Sequence, residues 1–315
     1  MVRYIAKRLL EMIPVLLGLT LILFLLFSGE GEKAAYVRLG DNASPEMIDE
    51  WCESRGLNDP ILVQYARYIY NIVIHQDFGN SYITDESVAT GLAGRFPATF
   101  KLALVGAVVM LVVGIPVGVF SAVKQYSWQD TAVVSLSMVG VSIPNFWLAL
   151  MLIIIFSLKL KLLPASGFYG PSYWILPAVA VSLNPTCTLM RTTRSSVLEA
   201  IRQDYVRTAR AKGQKESQVI IHHVVRNALI PVMTVAGLQF GILLGGAVVI
   251  ESIFSIPGLG KYITDSIIRG DMMVVLGGLM LIAFVFSIVN LLVDILYTYI
   301  DPRLKTTFVK KRKTS

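Results

Sequence analysis

Charge is scarce in this chain. Only 16% of its 315 residues are Asp, Glu, Lys or Arg while 55% are hydrophobic, and mean hydropathy is +0.65. Soluble domains carry about 25% charged residues, so lipid is the expected solvent for most of this polypeptide. Cysteine is limited to Cys52 and Cys187. The first is expected outside the membrane and the second within a span, so no disulfide framework is implied. The three histidines include the adjacent His222 and His223. Neighbours point to different sides of a helix, whereas helical metal pairs sit about three or four residues apart, so no metal site is expected. There is no H-E-x-x-H and no G-x-S-x-G, and no catalytic residue is assigned. "SIPGLGKY" comes nearest to a phosphate loop, but Ser255 stands where glycine is needed and Tyr262 where Ser or Thr is needed. If ATP drives this protein, another chain binds it.

Long apolar runs are abundant. Five lie near 98–123, 132–158, 175–193, 230–250 and 273–298, each near the length of about 20 residues that crosses a bilayer as helix. A sixth, Leu9 to Phe27, follows Arg3, Lys7 and Arg8. It is longer than a signal-peptide core and no A-x-A site follows, so it reads as a retained anchor. The expected fold is therefore an all-α membrane protein with six transmembrane helices. Basic residues fix its orientation, because Lys and Arg near span ends stay in the cytoplasm. With the amino terminus inside, the cytoplasmic segments carry Arg3, Lys7, Arg8, Lys124, eight basic residues from Arg191 to Arg226 and six from Arg303 to Lys313. Between Ser28 and Pro97, eleven acidic residues face five basic ones. Both termini are expected to be cytoplasmic. The net charge of +7 follows this pattern and calls for no nucleic acid.

The expected organisation is a cytoplasmic start and first span (1–27), an extracytoplasmic helical segment (28–97), a five-span core (98–300) holding a cytoplasmic loop (191–230), and a basic cytoplasmic tail (301–315). In the segment after the first span, Ser44-Pro45-Glu46 signals a helix start and Gly56 a stop. A second helix is expected from Pro60 to about His75. Its stripe of Tyr65, Tyr68, Ile69 and Ile72 would rest on the membrane interface, on the protein's own outer face or on a partner. Gly237, Gly241 and Gly245 recur every four residues and lay a smooth strip for helix packing along the fifth span. Pro116, Pro144, Pro177 and Pro185 can kink their spans. Lys101 and Glu251 are expected near outer span ends, kept solvated by snorkelling or partner contact. Asp294, toward the inner end of the last span, reads as a structural partner more than a proton relay.

The stretch from Asp204 to Pro231 is crowded with charge. Arg191 to Ala211 is expected to run as one helix out of the membrane, with Gly213 as its stop after Lys212. A second helix follows, placing Ile221, Val224, Val225 and Ala228 on one side, and Pro231 then opens the fifth span. Mere reconnection needs a far shorter loop, so some contact must offset the ordering entropy. That contact is either anionic lipid or a protein partner.

The chain resembles, nearly end to end, the membrane permeases of ATP-binding-cassette (ABC) importers, in their dipeptide, oligopeptide and nickel branch. The resemblance runs through "RYIAKRLLEMIPVLLGLT", "LNDPILVQYARYI", "DFGNS", "RFPATFKLAL", "SIPNFWLALML", "LPASG", "DYVRTARAKG", "RNALIPV", "IESIFSIPGLGKYI" and "VNLLVDILYTYIDPR". "DYVRTARAKG" followed by "RNALIP" is the most specific part and is similar to the cytoplasmic EAA loop. It departs from the general motif: counting back from Gly213, Arg207 and Thr208 replace Glu and Ala, and only Ala209 agrees. The distance from Gly213 to Pro231 is also longer, a difference usual in this branch.

The resemblance implies a type I importer permease fold in a prokaryotic cell membrane. The loop would hold the coupling helix that contacts a cytoplasmic ATPase, through Asp204, Tyr205, Arg207, Thr208, Ala209, Arg210, Ala211, Lys212, Gly213 and Glu216. The implied partners are a homologous second permease, two ABC ATPases that bind ATP and Mg, an extracytoplasmic binding protein and membrane lipid. This chain would hold no cofactor. Glu251, Pro257, Gly258, Gly260, Lys261, Asp265 and Asp271 become candidates for docking the binding protein. The expected activity is import of di- or oligopeptides by alternating access, with chelated nickel as the alternative cargo. A membrane-anchored sensor would work without ATPases, and an intramembrane hydrolase would need facing catalytic groups where Asp294 stands alone.

Overall fold

The structure is a computed structural model describing residues 2–27, 30–40 and 42–300. Among these the regular secondary structure is all helical, apart from one isolated antiparallel bridge between Asn80 and Ser87. Among the described residues, four helices are long and apolar enough to cross a membrane, or five if one bent pair is a single span. The chain divides into two compact units, Met1–Lys101 with Phe254–Ser287, and Leu102–Ile253 with Ile288–Ser315. The basic tail 301–315 lies outside the described residues.

The first unit contains α1 (Val2–Leu26), α2 (Glu30–Leu39), α3 (Pro45–Ser54) and α4 (Ile61–Tyr70), the last extended by a π-helical turn, Asn71–His75. The Ser44 hydroxyl accepts from the Met47 amide and Pro45 fills the first turn, as expected of that start signal. The stop is equally local. Gly56 adopts φ +65°, while the Gly56 and Leu57 amides donate to the Glu53 and Cys52 carbonyls, a Schellman cap. The Tyr65, Tyr68, Ile69 and Ile72 stripe packs inward with Phe24, Tyr82 and Met272. The Tyr65 hydroxyl donates to the Leu17 carbonyl at 2.8 Å. Of the surfaces weighed from sequence, the stripe takes the protein's own.

The second long helix, α5 (Val88–Val123), begins ten residues before the expected start of the core at 98. The third expected span is broken. α6 (Trp128–Ser142) and α7 (Asn145–Leu152), continued by π-helical Ile153–Lys159, meet at 101°. Pro144 forces the preceding Ile143 into extended backbone, which stops α6. An apolar groove of about 550 Å³ opens at this bend, beside Met138, Phe146 and Trp147.

α8 (Pro171–Ile201) extends well past the expected 175–193 and ends at Ile201, so the single helix expected from Arg191 to Ala211 does not form. The chain turns through Arg202 and Gln203 before α9 (Asp204–Ala211). α8 is not among the helices apolar enough to span by composition, but Leu176, Ala180, Leu189 and Val197 are buried along its length.

Short α10 (Glu216–Gln218), π-helical Val219–Val225 and α11 (Arg226–Phe254) make one continuous 39-residue helix. Pro231 therefore lies inside it instead of opening the span. An interior proline loses a backbone hydrogen bond and crowds the carbonyl four residues before it. Membrane helices tolerate that cost when neighbouring groups re-satisfy the backbone, and here the helix continues past it. The π turn also shifts the buried face: Val219, Ile220, Val224 and Ala228 point inward while Ile221 is exposed. The expected glycine strip is not uniform. A side chain at Gly237 would collide with Val293, whereas at Gly245 it would meet open space. Gly241 is buried. Last come α12 (Leu259–Arg269) and α13 (Met272–Ile300), which carries Asp294, a side chain outside those described.

Candidate functional site

The charged stretch folds as a short helix, a tight turn and the start of a long helix. α9 buries only Val206 and Ala209. They join Ala122 of α5, Val197 and Ala200 of α8, and Val219, Ile220, Val224 and Ala228 in one apolar cluster. The 206 and 209 spacing puts both side chains on one helical face, so the other face must point to solvent. Asp204, Tyr205, Arg207, Thr208, Arg210 and Ala211 are exposed, as are Lys212, Gly213 and Glu216. Of the ten residues assigned to the coupling contact, Ala209 alone faces inward.

The turn after α9 is held mainly by backbone. Gly213 has φ +77°, with its amide and that of Gln214 donating to the Arg210 and Ala209 carbonyls at 2.9 and 3.4 Å. Across the turn, Arg210 Nη2 and Nε donate to both carboxylate oxygens of Glu216 at 2.6 and 3.1 Å. Gln214 and His223 lie within hydrogen-bond distance at 2.9 Å. His223 therefore partners an amide; among the described residues no three of His, Cys, Asp and Glu gather as a metal site.

One site escaped the sequence reading. Asp130, in the first turn of α6, is buried. Its Oδ1 accepts from Arg194 Nε at 2.7 Å and Ser121 Oγ at 2.5 Å, and its Oδ2 from Arg194 Nη2 at 2.8 Å and the Tyr126 amide at 3.1 Å. Burial of a carboxylate is tolerable when paired and hydrogen-bonded in this way. The local signal was Ser127-x-x-Asp130, a helix-start pattern in which Ser127 Oγ accepts the Asp130 amide. The 64 residues to Arg194 hid the partner.

The candidate docking residues separate into two groups. In the first unit, Lys261 Nζ donates to Asp265 at 2.9 Å. Arg95, Lys261, Tyr262, Asp265 and Arg269 border a cavity of about 320 Å³. The Arg95 guanidinium stacks 3.8 Å from the Tyr262 ring centre. Pro257 is exposed, while Gly258 and Gly260 are buried. Asp271 also lines the cavity, yet it is a buried internal latch that accepts from Ser81 Oγ at 2.5 Å and the Tyr82 amide at 3.0 Å. Glu251 corrects the expectation of a solvated outer-end group. It lies one turn inside α11 between buried Ile250 and Phe254, and is fully buried. Lys101 is exposed.

Comparison with known proteins finds matches along nearly the whole chain. The family described as "Binding-protein-dependent transport system inner membrane component" matches residues 114–306, and its amino-terminal companion matches 1–103. The chain is 39% identical over 333 residues to the dipeptide transport system permease protein DppB of Alkalihalophilus pseudofirmus, covering 97% of this chain and 100% of that one. It is 38% identical over 316 residues to the oligopeptide transport system permease protein AppB of Bacillus subtilis, with 97% and 100% covered. It is 38% identical over 337 residues to DppB of Escherichia coli K12, with 97% and 99% covered. A chain of the MetNI methionine ABC transporter, solved in inward-facing conformations, matches with TM-score 0.59 and 18% identity over 67% of this chain and 96% of that chain. At that identity the likeness concerns the fold.

Proposed function

The chain belongs to the inner-membrane permease components of binding-protein-dependent ABC importers, in the dipeptide and oligopeptide branch, and from that premise we propose that it carries di- or oligopeptides by alternating access, driven through α9. It is a multi-pass membrane subunit and not itself an enzyme. The cargo reading rests on the relatives' names as dipeptide and oligopeptide permeases. The proposed complex contains a homologous second permease, two cytoplasmic ATPases that bind ATP and Mg, and an external binding protein, in a prokaryotic inner or plasma membrane.

In this reading six spans are formed by α1, α5, the α6 and α7 pair, α8, α11 and α13, with both termini cytoplasmic. Counting α8 is supported by its length of 31 residues, about 46 Å of helix against a hydrocarbon core of about 30 Å. Of its polar residues, Ser182, Thr186 and Thr193 are buried.

The observation that carries the proposal is the form of α9. A small buried face seats it against α5, α8 and the π-helical turn Val219–Val225, leaving Tyr205, Arg207 and Arg210 outward. Such a helix can be gripped by a partner and can move the helices beneath it. The external partner would engage Pro257, Lys261 and Asp265 around the charged cavity. The test is reconstitution of the complex in liposomes with ATP on the cytoplasmic side. Peptide uptake with peptide-stimulated ATP hydrolysis supports the reading. Uptake of chelated nickel without peptide keeps the architecture and overturns the cargo.

A further inference from the structure

We propose that Asp130 and Arg194 are positioning residues that carry movement of the α9 platform into α6 and thereby to the bend at Pro144. This rests on the coupling reading of α9 and adds the route by which its displacement leaves the cytoplasmic end.

The platform under α9 includes the ends of two helices, Ala122 of α5 and Val197 and Ala200 of α8, beside Val219, Ile220, Val224 and Ala228 of the helix that follows it. The clamp grips those same ends. Ser121 precedes Ala122, and Arg194 lies three residues before Val197, so each is adjacent to or one helical turn from a platform residue. Both donate to one carboxylate, Asp130, in the first turn of α6. That carboxylate also accepts the amide of Tyr126, which holds the left-handed conformation at φ +65°. A single group thus joins the end of α5, the following turn, the start of α6 and the end of α8.

The geometry resists slippage. The Arg194 pair is bidentate, which fixes orientation as well as distance. The Asp130 side chain is 5% exposed and that of Arg194 25% exposed, so water competes little for the carboxylate. At its far end α6 is tied to α8 again. Asn184 Nδ2 donates to the Val141 carbonyl at 3.0 Å, and a side chain at Gly140 would strike the Cys187 sulfur. Fastened at both ends, α6 follows α8 instead of shearing past it. Its last turn leads into the extended Ile143 and Pro144 beside the apolar groove.

The test uses the complete reconstituted complex and the variants Asp130→Asn, Arg194→Lys and the charge-neutral double Asp130→Asn/Arg194→Gln. Recovery of the complex, ATP hydrolysis and peptide uptake are measured together. The expected result for Asp130→Asn is normal recovery and continued hydrolysis, with peptide imported per ATP reduced about tenfold. Arg194→Lys, which keeps charge without the fork, should fall between it and the parent. Unchanged import per ATP in the single variants overturns the proposal, even if the amount of complex falls. If single variants strand a charge and prevent recovery, the double variant decides: normal import per ATP, or no recovery at all, reduces the clamp to a folding element. The underlying coupling reading is tested separately by Arg207→Cys on the parent background. Absence of crosslinking to either ATPase overturns that reading whatever the clamp variants do.

Discussion

Gly213 adopts φ +77° with no atom crowding the position where a side chain would begin. Its requirement is conformational, not steric. Gly213→Ala should therefore destabilise the turn by about 1 kcal/mol, with Gly213→Asn milder because Asn tolerates the left-handed region. Thermal unfolding of the purified permease, read against the parent, checks the order Gly, Asn, Ala. Cys52 supplies a second prediction at this scale. Burial pushes its thiol above the ordinary range, helped by the nearby Glu32 and Asp49 charges. The neutral thiol persists to higher pH, so less thiolate is available at neutral pH. Maleimide labelling of Cys52 in a Cys187→Ala background should be slow when folded, accelerate toward alkaline pH and become fast in denaturant. Equal rates in folded and unfolded protein would contradict the burial.

Helices differ in how closely they approach, and the glycines record it. At Gly118 of α5, an added carbon would lie 2.6 Å from the Met190 carbonyl oxygen of α8. Backbone cannot step aside as a flexible side chain can, so Gly118→Ala should destabilise by about 1–3 kcal/mol. Gly245→Ala, in open space on α11, should be neutral or stabilising by up to about 1 kcal/mol. Paired melting curves test the contrast.

The sequence spacing around Gly237, Gly241 and Gly245 revealed small residues but not which one meets a neighbour, because that depends on the rotation of α11 about its axis. Local signals read well because they do not depend on such packing. The Ser44 cap, the Gly56 stop and the Gly213 stop are each decided by a few adjacent residues. The break at Pro144 was visible as a proline, although its 101° angle was not. The Arg202–Gln203 turn carries neither glycine nor proline, so nothing local announced the end of α8. Most of the α9 site was legible as one motif, whereas the Asp130–Arg194 clamp required the packing of α5, α6 and α8.

For the whole molecule, the proposed topology puts the α9 surface and the α12 region on opposite sides of the membrane. Single cysteines at Arg207 and Pro257, each in a cysteine-free background, test this with a membrane-impermeant thiol reagent. In spheroplasts Pro257→Cys should label and Arg207→Cys should not; in inverted vesicles the order should reverse. Labelling of both from one side would overturn the orientation drawn from the basic residues.

The seating of α9 on Val206 and Ala209 also bears on how such a protein diversifies. Two inward side chains and a backbone cap fix the helix, so changes on its outward face bring little stability penalty, within about 0.5 kcal/mol each. Gene duplicates could therefore acquire new docking preferences there by drift, without first acquiring a new fold. Orthogonal transport complexes could coexist in one cell on nearly identical scaffolds, distinguished by a handful of surface letters.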